Sequence, residues 1–321
     1  MKSFEHPAHR SGYWWIMLFL ALPAVLFLPW AASDARAEAQ KKFSSPEEAV
    51  QALVAAIRAG DVKAMITILG PGGKELVSSG DDLADKVGRD KFLRSYDQKN
   101  ALQQGTGGKT ILCTGDDSWP MPIPIVRKGG QWAFDSMSGK REILQRRVGR
   151  NELHVMDVLH AYVDAQQEYA GKNCSGTGLV EFAQRIVSSA GKHDGLYWEA
   201  KEGEDQSPLG PLVAKAAKEG YANPELNPFH GYYFRVLRGQ GKHAKGGTYN
   251  YVVKDRMILG FGLVAYPAEY GNSGVMTFIV NQEGVIYQKN LGKDTRRKAE
   301  AMKVFDPDKT WKKVADTEKK D

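Results

Sequence analysis

Twice along this chain the spacing of apolar residues changes from the helical period to the strand period. That double switch constrains the fold more than any single motif. The first helical stretch opens at Ser45, which can cap a helix with Pro46 at its first position and Glu48 at its third. Proline's missing N–H costs nothing there, and a glutamate at the third position completes a capping box. Val50, Leu53, Val54 and Ile57 mark one buried face, and Gly60 ends the helix. Asp61 caps a second helix, in which Val62, Met65, Ile66 and Leu69 repeat the spacing until Gly70-Pro71-Gly72-Gly73 stops it. A charged third helix is predicted over Asp81–Tyr96, buried through Leu83, Val87, Phe92 and Leu93, and Lys41–Ser44 reads as a linker before the first.

The period then shortens. Thr110–Cys113, Met121–Lys128 and Gln131–Ser136 are expected strands, the last two joined at Gly129-Gly130, a strong hairpin signal. Proline at 120, 122 and 124 cannot donate to a sheet ladder, so that side of the strand should lie on an edge or follow a bulge. Helices followed by antiparallel strands make an α+β domain. A second helical region follows, expected as two helices, Ser138–Arg147 and Asn151–Ala170, broken near Gly149. Short helices are predicted at Leu179–Ser188 and Pro211–Glu219. An antiparallel meander then runs through Tyr232–Leu237, Gly262–Ala268, Met276–Asn281 and Val285–Gln288, with a tight turn at Gln282-Glu283-Gly284. The expected organisation is a leader over 1–39, α+β domains over 40–149 and 150–292, and a charged, solvated tail over 293–321.

The leader is read from its layout. Lys2 and Arg10 precede an apolar run from Tyr13 to Ala32, and the small-x-small sites Ala35-Arg36-Ala37 and Ala37-Glu38-Ala39 follow it. A basic start, an apolar middle and such an exit make a secretory signal peptide. Trp14–Trp30 lies near the lower limit of a spanning helix, roughly 17–25 residues, and Pro23 and Pro29 interrupt it, so cleavage is favoured over retention as an anchor. An exported, periplasmic or secreted protein with no stable transmembrane anchor is the expectation. The net charge of +6 is spread along the chain rather than gathered in a stripe, which argues against nucleic acid. Its densest patch, Arg141, Arg146, Arg147 and Arg150, reads as a solvated helix face, with a cell-wall polymer or an envelope protein left as a partner. The two cysteines, Cys113 and Cys174, fall in different domains; they are a candidate disulfide whose proximity the sequence does not give.

Several constellations touch on chemistry. Gly107-Gly108-Lys109-Thr110 has the end of a phosphate loop but Gln103 where the motif needs glycine, and a strand follows it. Gly271-Asn272-Ser273-Gly274 has the look of a nucleophile turn, yet no histidine context supports a base, so a structural turn is the simpler reading. His154 and His160 lie six apart on one helix and do not converge on a metal. His193-Asp194 could hold an imidazole tautomer for acid–base work, although adjacent residues in a loop more often form an Asx-type turn. Glu199, Glu202, Glu204 and Asp205 lack the spacing of a calcium loop. No catalytic residue, metal site or cofactor is expected. Candidate contact residues for a partner or ligand are His193, Asp194, Trp198, Tyr233 and Arg235; Tyr233 is placed by strand alternation on the face opposite Tyr232 and Phe234.

The run Ser45–Val50, with Ala59-Gly60-Asp61 and the hairpin Pro124–Trp132, resembles the cystatin-like and NTF2-like class of small domains, which implies a ligand pocket, an enzyme or an interaction module. The helix end Val163–Tyr169, with Gly231–Phe234, Ala265-Tyr266-Pro267, Thr277–Val280 and Glu283–Ile286, resembles the soluble head of type IV pilin-like proteins. Over nearly the whole mature chain, Phe43–Ala49, Gly191–Trp198, Ser207–Leu212 and Pro228–Phe234 resemble the exported bacterial family catalogued as Domain of Unknown Function 2950. That resemblance implies an envelope protein with no assigned activity. The expected function is a non-enzymatic binding or assembly module of the bacterial envelope. The alternative is a small-ligand binder or enzyme using a pocket in the first domain, with Trp119 and Trp132 as its candidate lining. A closed, partly polar cavity with an acid–base pair inside that domain would favour the alternative; a flat, dry core there, with exposed aromatics on the second sheet, would favour the docking role.

Overall fold

The computed structural model describes residues 39–200, 203, 205–219, 221 and 227–315 of the chain. The proposed leader, apart from its last residue, lies outside the described residues. Among the described residues no helix is long and apolar enough to cross a membrane.

Helix α1 (Pro46–Ala59) forms where the capping pattern places it: Ser45 Oγ accepts the Glu48 N–H at 3.1 Å, and Gly60 ends the helix at φ 66°. The return bond of the box lands one residue early, Glu48 Oε2 accepting the Ser44 N–H at 2.9 Å. Asp61 caps α2 (Val62–Leu69) by accepting the Ala64 N–H at 2.9 Å. The glycine-proline stop then yields a short α3 (Gly73–Val77), which the sequence did not suggest, before α4 (Asp82–Gln98). Lys41–Ser44 is not a free linker, because Phe43 is buried and pairs with Trp132 through two backbone hydrogen bonds of 2.8 Å.

An antiparallel sheet follows: β1 (Asn100–Gln104), β2 (Thr110–Thr114), β3 (Trp119–Pro120), β4 (Ile125–Lys128) and β5 (Gln131–Phe134). Its order is β1-β2-β4-β5, with β3 also on β2. The expected strand Met121–Lys128 begins only at Ile125: residues 121–124, with Pro122 and Pro124, bulge out between β3 and β4, both of which pair with β2. Gly129 and Gly130 take φ of 60° and 83°, the left-handed pair that a two-residue hairpin turn requires. Strand β1 was missed because its five residues, Asn-Ala-Leu-Gln-Gln, give no apolar alternation and lie at an exposed edge.

Helix α5 (Ser136–Gly171) then runs unbroken for 36 residues. The expected break at Gly149 does not occur, and the boundary drawn between residues 149 and 150 falls inside this helix. Helix α6 (Gly210–Glu219) precedes β6 (Tyr232–Leu237), which leads to two small ribbons: β7 (Gly239–Gln240) with β8 (Tyr249–Asn250), and β9 (Val252–Val253) with β10 (Arg256–Met257). Strands β11 (Gly262–Pro267), β12 (Thr277–Asn281) and β13 (Tyr287–Lys289), helix α7 (Thr295–Ala301) and β14 (Lys312–Lys313) complete the fold. The second sheet has the order β14-β13-β12-β11-β6, every pair antiparallel. Helices and antiparallel sheets make the class α+β.

Two expectations fail for identifiable reasons. Leu179–Ser188 is not a helix: buried Gln166 holds Ala183 in an extended path, its amide donating to Ala183 O and accepting from Ala183 N, both at 2.8 Å. The segment beyond Leu291 is not a solvated tail. It lays α7 and β14 on the second sheet, burying Leu291, Ala299 and Phe305 against Leu237, Val264 and Ile279. The opposite face of that sheet packs Leu263, Phe278 and Val280 on Val155, Leu159 and Tyr162 of α5. Covered on both faces, β11 and β12 read as continuous apolar runs rather than alternating ones. The first sheet has its own core, where Leu112, Ile125 and Phe134 meet Leu53, Val54, Met65 and Ile68 of the helical hairpin.

Candidate functional site

The first core is incompletely filled. Between the α1–α2 hairpin, α4, the 121–123 segment and the first half of α5 lies a cavity of about 320 Å³. Its walls are apolar: Leu53 and Ile57 of α1, Met65 and Leu69 of α2, Phe92 of α4, Met121 and Ile123 of the bulge, and Ile143 of α5. The fourth helix is the loosest wall. None of its residues is fully buried, and Phe92 contributes only a half-buried ring. The loose seating follows from composition: charged side chains leave α4 few apolar groups with which to anchor itself.

Polar groups collect on one side of the cavity: Ser79, Asp85, Arg89, Arg147, Arg150 and Asn151. Asp85 Oδ2 accepts the Ser79 N–H at 2.7 Å. Burial pushes the Asp85 carboxyl above the usual carboxylate range, against the opposing pull of the Ser79 hydrogen bonds, Arg147 and Arg89. Arg147 is turned inward and spends its fork on the end of α3. Nη1 donates to Glu75 O at 2.8 Å and Nη2 to Leu76 O at 2.9 Å, while Nη1 also reaches Asn272 Oδ1. Burial lowers its pKa, with Asp85 holding it up and Arg150 adding to the fall. Arg89 Nη1 donates to the next carbonyl, Val77 O, at 3.3 Å.

This polar side is also where the two cores meet. Asp81 is 2% exposed, and its carboxylate caps α4 through Ala84 N at 2.9 Å. It also accepts from Tyr221 Oη at 3.0 Å and Gly231 N at 2.9 Å. Asn151 Nδ2 donates to Ser273 O at 2.9 Å, and Asn272 Nδ2 to Ser78 O at 2.7 Å. Glu152 Oε1 accepts the N–H groups of Val275 and Met276 at 3.0 and 2.9 Å. The two motifs Pro228–Phe234 and Gly271–Gly274 are therefore junction pieces. Their glycines answer to crowding: a Cβ on Gly274 would stand 2.0 Å from Tyr232 Oη, and one on Gly231 would stand 2.7 Å from Asn151 Nδ2.

The family profile described as "Protein of unknown function (DUF2950)" matches residues 40–314, nearly all of the described chain. The chain belongs to the DUF2950 family. No curated protein and no solved structure matches it. The segment runs Phe43–Ala49, Gly191–Trp198, Ser207–Leu212 and Pro228–Phe234 all fall within that match.

In this DUF2950 chain the residues singled out from sequence are spread over several places. Trp119 is exposed, with the Arg146 guanidinium 4.8 Å from its ring centroid, and Trp132 is half-buried beside Phe43; neither lines the cavity. Asp194 does not orient His193: its carboxylate takes the Ser189 N–H at 2.7 Å and the Ser189 hydroxyl at 2.8 Å, a loop clamp reaching back five residues rather than the Asx-type turn expected. His193 instead stacks on buried Trp198 at 4.2 Å between ring centroids. Tyr233 and Arg235 share a face, as alternation requires, but α7 covers it. Arg296 lies over the Tyr233 ring at 5.3 Å, and Arg235 Nη2 donates to Ala299 O and Met302 O at the end of α7. Cys113, buried in β2, and Cys174, half-buried beyond α5, are both free thiols.

Ser273 is a turn residue. It is fully buried, its Oγ accepting from Glu269 N at 2.9 Å and donating to Glu269 O at 3.2 Å. His154 pairs not with His160 but with His230, ring centroids 4.3 Å apart. Among the described residues no three His, Cys, Asp or Glu side chains gather where they could hold a metal ion. Asp85 and Arg147, two of the polar residues of the cavity, were missed. A signal existed: Ile143, Arg147, Arg150 and Asn151 follow i, i+4, i+7, i+8, a buried-face spacing that includes two arginines.

Proposed function

We propose that this DUF2950 chain is a binding protein for a small, mainly apolar molecule held in the cavity of its first half. The observation that carries the reading is that cavity: about 320 Å³, half open to solvent, with mainly apolar walls and polar groups supplied by Ser79, α4 and α5. Ligand sites typically span about 300–1,000 Å³ with this division of surface. The docking role expected from the sequence loses support because Tyr233 and Arg235 lie under α7 rather than on an open sheet. Export, with 1–39 as a cleaved leader, belongs to the same proposal, since a carrier of apolar molecules would serve an envelope. Its check is the mass of the protein recovered from cell fractions: a full-length chain in the cytoplasm would remove export from the proposal.

Gly88 supplies the test of binding. It lines the cavity from the middle of α4, and a Cβ there would meet nothing within 4 Å. Gly88 is exposed, so it lies at the rim where the cavity meets solvent, and Gly88→Leu should obstruct the opening without a clash and gain about 0.5–1 kcal/mol of helix propensity. Native mass spectrometry of protein from its own cells should find a retained small molecule in the wild type and none in Gly88→Leu. The variant should also melt at a higher temperature. If no molecule is retained and no apolar compound raises the wild-type melting temperature, the proposal fails.

A further inference from the structure

We propose that the molecule taken up by this cavity carries a negative charge at one end, a carboxylate or similar anionic head on an apolar chain, with Arg89 and Arg150 receiving the head. This rests on the binding function proposed above and adds the chemical class of the ligand. Its ground is the balance of charges and donors around the cavity. Three guanidinium groups and one carboxylate line it. Asp85 and Arg147 lie close enough to perturb one another, so that pair is nearly neutral as seen by a ligand. Asp85 feels Arg89 as well, so the lining keeps an excess of two positive charges, and Arg150 alone of the three guanidiniums is not among the charges acting on that carboxylate.

The donors give the same answer. An arginine has five N–H donors in a fixed fork suited to carboxylate or phosphate oxygens. Arg147 commits its fork to Glu75 O, Leu76 O and Asn272 Oδ1, and it is a structural clamp. Arg89 makes one long bond, 3.3 Å to Val77 O, leaving most of its donors over. Arg150 is exposed, its donors met by water rather than protein: it makes no hydrogen bond and no ion pair among the described residues, although it is close enough to lower the pKa of Arg147, His154 and His230. A cation with unspent donors, repelled by its own neighbours and bordering an apolar cavity, gains most from an anion. A neutral head would leave this repulsion in place, and a cationic head would add to it.

The test titrates the full chain with three probes of equal tail length, decanoate, decanol and decylamine, read by calorimetry at low salt and again at high salt. Decanoate should bind about tenfold more tightly than decanol, the margin shrinking at high salt, and decylamine should bind most weakly. Replacing both arginines, Arg89→Gln with Arg150→Gln, should bring decanoate down to the affinity of decanol and leave decanol unchanged. Circular dichroism of that variant should match the wild type, because Arg147 keeps its clamp. Equal or tighter binding of decanol or decylamine by the wild type would overturn the anionic class while the cavity retained its function. Binding of none of the three to the folded wild type would overturn the cavity reading itself.

Discussion

At the scale of single residues, the polar groups of this protein do more structural work than their sequence context suggests. His230 is an example. It sits at φ 48°, packed against His154 and Phe229, with its side chain 19% exposed. Burial lowers its pKa from 6.5 to about 4, and His154, Lys215 and Arg150 push in the same direction. Glu219 Oε2, 3.2 Å from Nε2, favours the protonated ring and works the other way. The folded state thus prefers neutral His230, and the unfolded chain binds the proton first. The resulting stability is complete above about pH 6.5, is lost as pH falls toward 4, and changes little below that. His154, lowered by burial and by Arg150, adds to the slope. His230→Asn, which tolerates the left-handed backbone, should flatten melting temperature against pH between 4.5 and 6.5; an unchanged slope would mean that other groups carry it. None of this could be read from the chain, where His154 and His230 are far apart. The Ser273 turn and the Asp194 loop were legible because their bonds are local. Arg147 was not: four arginines in ten residues look like a solvated face until the helix is seen packed on α3.

At the scale of elements, legibility followed where the stabilising contacts lie. The α1–α2 hairpin was readable because caps and apolar spacing agree, and the Gly129-Gly130 turn because its φ angles demand glycine. Helix α7 was not, since only Thr295 and Ala299 of its seven residues are buried, and small side chains give no periodic signal. The cavity itself was unreadable, because unfilled volume depends on how α4 seats rather than on any residue's type. Gly149 misled in the opposite direction. Glycine lowers helix propensity, but tertiary packing of Val155, Leu159 and Tyr162 on one side and Gly139 and Ile143 on the other holds α5 through it. A Cβ at Gly149 would meet nothing within 4 Å. Gly149→Ala should therefore raise stability by about 0.5–1 kcal/mol in urea unfolding. A loss would mean that the chain bends there after all.

At the scale of the whole molecule, the question is whether two hydrophobic cores make one folding unit. Each core has its own sheet, and α5 serves both, its first half against the hairpin core and its second half against the second sheet. A shared helix alone would let one core melt and leave the other standing. The junction bonds oppose that. Asp81 caps α4 in one half while accepting Tyr221 Oη and Gly231 N from the other, and Arg147 joins α3 to Asn272. Opening the halves would break the bonds that Tyr221 and Gly231 donate to buried, charged Asp81, each worth more than an exposed ion pair contributes. Coupling of that size should make the wild type unfold in a single calorimetric transition, with calorimetric and van't Hoff enthalpies equal. Asp81→Ala removes the cap and leaves the Tyr221 hydroxyl and Gly231 N–H without their acceptor, a loss of about 2–4 kcal/mol. Because that loss falls on the junction rather than within either core, it should do more than lower the melting temperature. The transition should broaden or split, and the van't Hoff enthalpy should drop below the calorimetric one. Two separated transitions already in the wild type would make the halves independent domains; a sharp, merely shifted transition in the variant would move the coupling from Asp81 to α5.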